Sequence, residues 1–135
     1  MSGRTQSLTS WPRGIVPAFA DAEVLAELEA VTLQLIEGLD FGLIVMDRSG
    51  EVIAYNAVES RRSGLDRHRV LGRNFFVDVG PCTNNYLVAE RFHESEDLDE
   101  ELDYVFTFRM APTPVRLRLM ARSGSGRQYL AVRGR

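Results

Sequence analysis

The stretch FGLIVMDRSGEVIAY, residues 41–55, sets the frame for the whole chain. Phe41–Met46 is a short unbroken apolar run, too short for a helix of its own and suited to a buried strand. Asp47-Arg48-Ser49-Gly50 carries turn residues with glycine in the last place. Glu51–Tyr55 then reads as the return strand, so the stretch predicts a β-hairpin. After Tyr55 the chain changes character. Asn56–Ser63 predicts a short helix stopped by Gly64, and Asp66–Leu71 another stopped by Gly72. Beyond Cys82, Asn84 or Asn85 can cap a helix running to about His93. The last third is β again. Leu102, Tyr104, Phe106, Phe108 and Met110 alternate and share one face, with Asp103, Val105, Thr107 and Arg109 on the other. Ala111–Pro114 interrupts the run. Val115, Leu117, Leu119 and Ala121 then alternate with arginines, Ser123–Gly126 turns the chain, and Arg127–Arg133 closes the sheet. Two strands, several short helices and three more strands predict an α+β domain with one antiparallel sheet.

Upstream of the hairpin the pattern is weaker. Residues 1–20 show no periodicity and carry Pro12, Gly14 and Pro17, so they predict an irregular arm. Trp11, Ile15, Val16 and Phe19 give that arm reason to lie on the domain. Asp21 is the expected N-cap of a helix over 21–38, with Val24, Leu28, Val31 and Leu35 in one stripe and Gly38 as its stop. The rest of the chain, 39–135, forms the main domain.

Composition limits the function. The chain has 135 residues, 44% hydrophobic and 26% charged, with a net charge of −3, which suits one globular domain and offers no case for nucleic acid as a partner. No apolar run approaches the roughly 18 residues a membrane span needs. The N-terminus lacks the apolar stretch of a signal peptide, so a cytoplasmic location is expected. The chain ends close to its last strand, so no effector domain is expected after it. Its single cysteine excludes an internal disulfide and a multi-cysteine zinc site. All basic side chains other than the two histidines are arginines, and they are unevenly placed. Glu94–Asp103 holds seven acids and no base, whereas the chain after Asp103 holds seven arginines and no acid. A solvated acidic connection beside the outer face of a sheet accounts for this, and a docking patch is the alternative.

Two residues carry chemistry. Cys82 is either a small buried hydrophobe or a reactive thiol. Pro81 fixes the chain before it, and a helix starting near Asn84 would place unpaired N–H groups nearby, favouring the thiolate. Glu59 closes an Asn-x-x-Glu pattern with Asn56. It either folds back onto the Asn56 backbone as a capping box or turns inward, where burial keeps a carboxyl protonated and makes it a donor. Tyr55 ends the hairpin and can be a core tyrosine. His68 and His93 are expected at the surface.

The segments DFGLIVMDRSGEVIAYNAVE (40–59), VLGRNFFVDVGPCTNN (70–85) and DYVFTFRMAPTPVRLRL (103–119) resemble the photoactive yellow protein family, blue-light receptors with a PAS fold. The resemblance spans about Phe41 to Arg133. It implies a five-stranded antiparallel sheet with short helices on one face and the N-terminal arm and helix on the other. It also implies a p-coumaric acid chromophore joined to Cys82 as a thioester, with Tyr55 and Glu59 at its phenol end. Ser63 stands where the family commonly has threonine, and Phe75, Phe106 and Met110 would line the pocket. Proton transfer from Glu59 after trans-to-cis isomerisation would drive a conformational signal. Leu65 stands where well-known members carry an arginine over the pocket, leaving Arg61 or Arg62 as nearby candidates, and Phe108 replaces a familiar tyrosine. The expected protein is not an enzyme. It signals to a separate downstream partner as a monomer or weak homodimer. The alternatives are a chromophore-free PAS association module and a thiol redox sensor at Cys82.

Overall fold

The computed structural model describes residues 7–107 and 111–135. The hairpin is β1 (Gly42–Asp47) and β2 (Val52–Tyr55), paired antiparallel. Its turn is held by Asp47, whose carboxylate accepts from the Ser49 and Glu51 N–H groups, both at 2.9 Å. Gly50 sits at φ +96°, a conformation that strains any other residue there. The remaining strands are β3 (Leu98–Phe106), β4 (Thr113–Ala121) and β5 (Arg127–Gly134). All neighbours are antiparallel, in the order β2-β1-β5-β4-β3. The α+β PAS architecture expected of the sequence is the one observed.

Alternation along the strands separates two cores. Ile44, Met46, Val115, Leu117, Leu119, Leu130 and Val132 point to the face covered by the short helices. Leu43, Val45, Met120, Tyr129 and Ala131 point to the opposite face, where the N-terminal segment supplies Trp11, Phe19, Val24, Leu28 and Ile36. The sheet is thus a shared wall, and residues one apart on β1 belong to different cores.

The N-terminal helix is shorter than its stripe predicts. α1 covers Val24–Ala30, Val31 is extended at φ −108°, ψ 162°, and a 3₁₀ stretch follows over Leu33–Gly38. The break is made by Leu8, which pairs with Val31 and exchanges hydrogen bonds with Ala30 and Thr32 at 2.8 and 2.9 Å. The β-branched pair Val31-Thr32 yields readily to that extended pairing. The stripe loses phase there, so Ile36 is buried and Leu35 only half-buried. Asp21 is not the N-cap. Its carboxylate accepts from the Ala18 N–H at 2.9 Å and from Arg13 at 3.2 Å, closing the turn before the helix.

On the helical side, α2 covers Ala57–Ser63 and ends at Gly64, left-handed at φ 76°. α3 is Arg67–Val70, capped by Asp66. A π turn over Phe75–Val79, capped by Asn74, had no periodic signature in the sequence. The helix expected from Asn84 begins only at Ala89, as α4 (Ala89–Glu94). Asn85 instead caps the turn before it, accepting from the Leu87 and Val88 N–H groups at 3.0 and 3.2 Å.

The acidic stretch is not a loop throughout. β3 begins at Leu98, and its acids face β4 arginines: Arg118 grips Asp99 with two bonds of 2.7 and 2.9 Å, and Arg116 reaches Glu101 and Asp103. The polarised charge of the sequence is therefore a cross-strand pattern. Phe108–Met110, the far end of the alternating run, lie outside the described residues.

Candidate functional site

The end of the hairpin and the start of α2 place three polar side chains beneath the helical face. Tyr55 is the last residue of β2, and Glu59 and Ser63 follow on α2 at successive turns. All three are buried. α2 is fixed in place by Asn56, which is fully buried and fully bonded. Its carbonyl accepts from the Leu43 N–H at 3.0 Å and the Glu59 N–H at 3.1 Å. Its amide donates to the carbonyls of Ile36 and Phe41, both at 3.0 Å. One side chain therefore joins α2 to β1 and to the N-terminal segment. The sequence marks Asn56 only as a cap; its second pair of bonds depends on residues distant in the chain.

The Asn-x-x-Glu pattern forms half a capping box. Asn56 accepts from the Glu59 backbone, but the Asn56 N–H donates to the Leu43 carbonyl at 3.1 Å. The Glu59 side chain is left to turn inward, with none of its surface exposed. One oxygen, Oε1, takes a charged hydrogen bond from Arg62 Nη2. The other, Oε2, is buried with no partner among the described residues. Burial pushes the carboxyl up to about 8 from its ordinary value of 4.5, and the Arg62 charge opposes that rise only in part. Gly42 makes the arrangement possible. A Cβ at that position would collide with Glu59 Oε1 and come within 2.9 Å of Arg62 Nη2.

Tyr55 donates to Ser63 Oγ at 2.8 Å. Burial is the main cause, and the Glu59 charge a second, of a phenol held well above its ordinary range, so Tyr55 keeps its proton. Ser63 Oγ also accepts from the Leu65 N–H at 3.2 Å. Leu65 lies against the helical-side core and offers no side-chain donor. Of the two arginines before it, Arg61 is exposed and Arg62 turns in to Glu59.

Cys82 lies half-buried in a 3₁₀ turn, Pro81–Thr83, and packs against the same core as Tyr55, Phe75 and Phe106. The helix expected to aim its N-terminus at the thiol is not there, since α4 starts at Ala89. The turn is held by its own groups. Thr83 donates from its hydroxyl to the Gly80 carbonyl at 2.6 Å. The Cys82 carbonyl accepts from the Tyr104 hydroxyl and from the Asn85 amide, the latter at 3.1 Å. Asn85 also donates to the Tyr104 oxygen at 2.6 Å, so Cys82, Asn85 and Tyr104 form a closed set. Neither Asn85 nor Tyr104 stood out in the sequence as a support for Cys82. The spacing of Asn85, three residues on, is the one local signal.

Tyr55, Phe75, Cys82 and Phe106 thus meet in one core, with Glu59 and Ser63 beside Tyr55. Met110 lies outside the described residues. His68 and His93 are exposed, as expected. Among the described residues no cluster of His, Cys, Asp or Glu suits a metal, and no helix is long and apolar enough to cross a membrane.

No protein-family model matches the chain. Individual proteins do. It is 39% identical to the photoactive yellow protein of Rhodothalassium salexigens over 97 residues, 70% of this chain and 77% of that protein. It is 36% identical to the photoactive yellow protein of Halochromatium salexigens over 104 residues, 75% of this chain and 83% of that one. Among solved structures, the photoactive yellow protein domain of the sensor histidine kinase Ppr from Rhodospirillum centenum superposes with a TM-score of 0.72 at 38% identity, covering 80% of this chain and 97% of that domain. The PAS domain of an HTR-like protein from Haloarcula marismortui shares the fold, with a TM-score of 0.57 at 21% identity over 84% of this chain and 98% of that one.

Proposed function

Because the chain belongs to the photoactive yellow protein family, we propose that it is a blue-light receptor holding p-coumaric acid as a thioester on Cys82. The observation that carries this reading is Glu59: a buried carboxyl raised to about 8, with an unpartnered Oε2. Among the described residues two buried carboxyl oxygens lack a partner, Glu27 Oε1 on α1 and Glu59 Oε2, and Glu59 is the one that lies beside Tyr55. A phenol end beside Tyr55 gives that oxygen the partner it lacks.

When bound, the p-coumaroyl group supplies visible absorption and a light-driven trans-to-cis isomerisation. The residues of the chain do the rest. Cys82 anchors the ligand by its sulfur, on a turn fixed by Asn85 and Tyr104. Tyr55 and protonated Glu59 are donors that a buried phenol anion requires, since an unpaired charge there is expensive. With the ligand bound, Ser63 orients Tyr55 by donating to its oxygen, the reverse of the bond in the free protein, which leaves the Tyr55 hydrogen for the phenol end. Phe75 and Phe106 supply aromatic walls from the same core, and family pattern adds Met110. Glu59 holds the proton that can be given up. Once ionised, it is a carboxylate with no exposed surface whose charge Arg62 offsets only in part, and local opening relieves the remaining cost of desolvation. Asn56 ties α2 to the Ile36 carbonyl, so strain on α2 reaches the N-terminal segment directly. Release of that segment is the proposed output, read in the cytoplasm by a separate signalling protein, with the receptor a monomer or weak homodimer and no chemical turnover of its own.

Purified apoprotein is mixed with an activated p-coumaric ester and its mass and visible spectrum are recorded. Wild type gains one adduct and turns yellow, and Cys82→Ala gains neither. A wild-type protein that stays colourless and unmodified removes the proposal, leaving the chromophore-free association module and the thiol redox sensor at Cys82.

A further inference from the structure

We propose that Arg62 is the counterion built into this site for ionised Glu59. The proposal rests on the light-receptor reading and deepens it. Its grounds are geometric. Arg62 lies three residues after Glu59 on α2, the spacing that puts two side chains on one helix face. Its guanidinium reaches inward to Oε1, although one fifth of the side chain is still exposed. It therefore couples a fully buried carboxyl to the solvent side of the helix. The space for this contact exists because β1 presents Gly42, where any side chain would collide with both groups.

The two carboxyl oxygens then have separate duties. Oε2, orphaned, is the side toward a ligand, and Oε1 is the side toward the cation. Among the described residues, the charged or titratable groups acting on this corner are Arg62 on α2 and Tyr55 on β2, and β1 faces it with a residue that has no side chain. When Glu59 loses its proton through Oε2, Arg62 is already in contact with the charge that remains. The ionised state is thereby stabilised inside the fold, and reprotonation of Glu59 is slowed.

The Glu59 carboxyl is titrated by ¹³C NMR in the full-length apoprotein. The expected midpoint of wild type is about 8. Arg62→Gln moves the midpoint up by about 1–3 pH units, the usual effect of losing an opposite charge at contact. Arg62→Lys restores most of the shift, and Arg62→Met, which keeps the bulk, repeats the rise if the Gln variant is unstable. A midpoint that does not move, or a Lys variant as high as the Gln variant, overturns the proposal. In p-coumaroyl-loaded protein, Arg62→Gln returns from its light state severalfold faster, and an unchanged rate counts equally against it. The titration needs no ligand. A protein that shifts its midpoint but never takes up p-coumaric acid defeats only the light-receptor reading, whereas a coloured protein with an unmoved midpoint defeats only this one.

Discussion

Glu59 gives the stability of this protein a pH dependence between its ordinary and its folded value. Its folded value, about 8, stands above its ordinary 4.5, so the folded state holds the proton more tightly than the unfolded chain does. The resulting stability is complete below pH 4.5, declines as the pH rises, and is gone above about 8. Urea unfolding of apoprotein at pH 5 and pH 9 should show wild type losing about 3–5 kcal/mol more than Glu59→Gln over that interval. Parallel losses in the two proteins would assign the buried proton elsewhere. In loaded protein, Glu59→Gln should keep its colour, because an amide still donates, while the proton transfer disappears from the light-induced infrared difference spectrum. An unchanged spectrum removes Glu59 from that role. The sequence left Glu59 with two readings, cap or inward acid. The choice depended on where the Asn56 N–H went, and its acceptor, the Leu43 carbonyl, lies on β1. Arg62 was harder to see, because nothing local distinguishes it from Arg61 beside it.

The elements that formed as expected carry their own signals. The hairpin turn has Asp47 and Gly50, and α2 has Asn56 before it and Gly64 after it. Those that differed depend on distant partners. α1 stops because Leu8 pairs with Val31, and β3 starts inside an acidic run because β4 sets arginines opposite. Arg118 joins these two features. It is buried, grips Asp99, and donates to the carbonyls of Phe19 and Asp21 at 2.8 and 2.7 Å. Arg133 adds its guanidinium over the Phe19 ring at 5.0 Å. Arg118→Met should therefore cost about 2–4 kcal/mol, since it leaves two carbonyls without their donor. Its larger effect should be local, with limited proteolysis of apoprotein cutting within residues 7–38 far sooner than in wild type. Equal cutting rates would show that apolar packing alone holds the segment.

The two cores share one sheet but differ in their fastenings. The helical side is joined by the apolar interior around Phe75, Phe92 and Phe106, whereas the N-terminal side relies on polar clasps at Asn56 and Arg118 as well as on Trp11 and Leu28. The proposed signal opens the second without dissolving the first. Loaded wild type, compared in darkness and under blue light, should gain protease sites within residues 7–38 and keep β3–β5 intact, and identical digests would refute that division. The helical-side face was legible in the alternation of β4, whereas the unbroken apolar run of β1 showed only a buried strand and not which residue serves which core. The clasps were not legible, because each joins residues far apart in sequence.

The lone thiol on its 3₁₀ turn has a practical corollary. The proposed thioester would consume the chain's one thiol, so Ellman's reagent applied to denatured material should measure vacancy directly, with one equivalent per empty molecule and none per pigmented one. Occupancy of any batch then follows without an extinction coefficient for the pigment, and bleaching by chromophore loss separates from bleaching by a change of state.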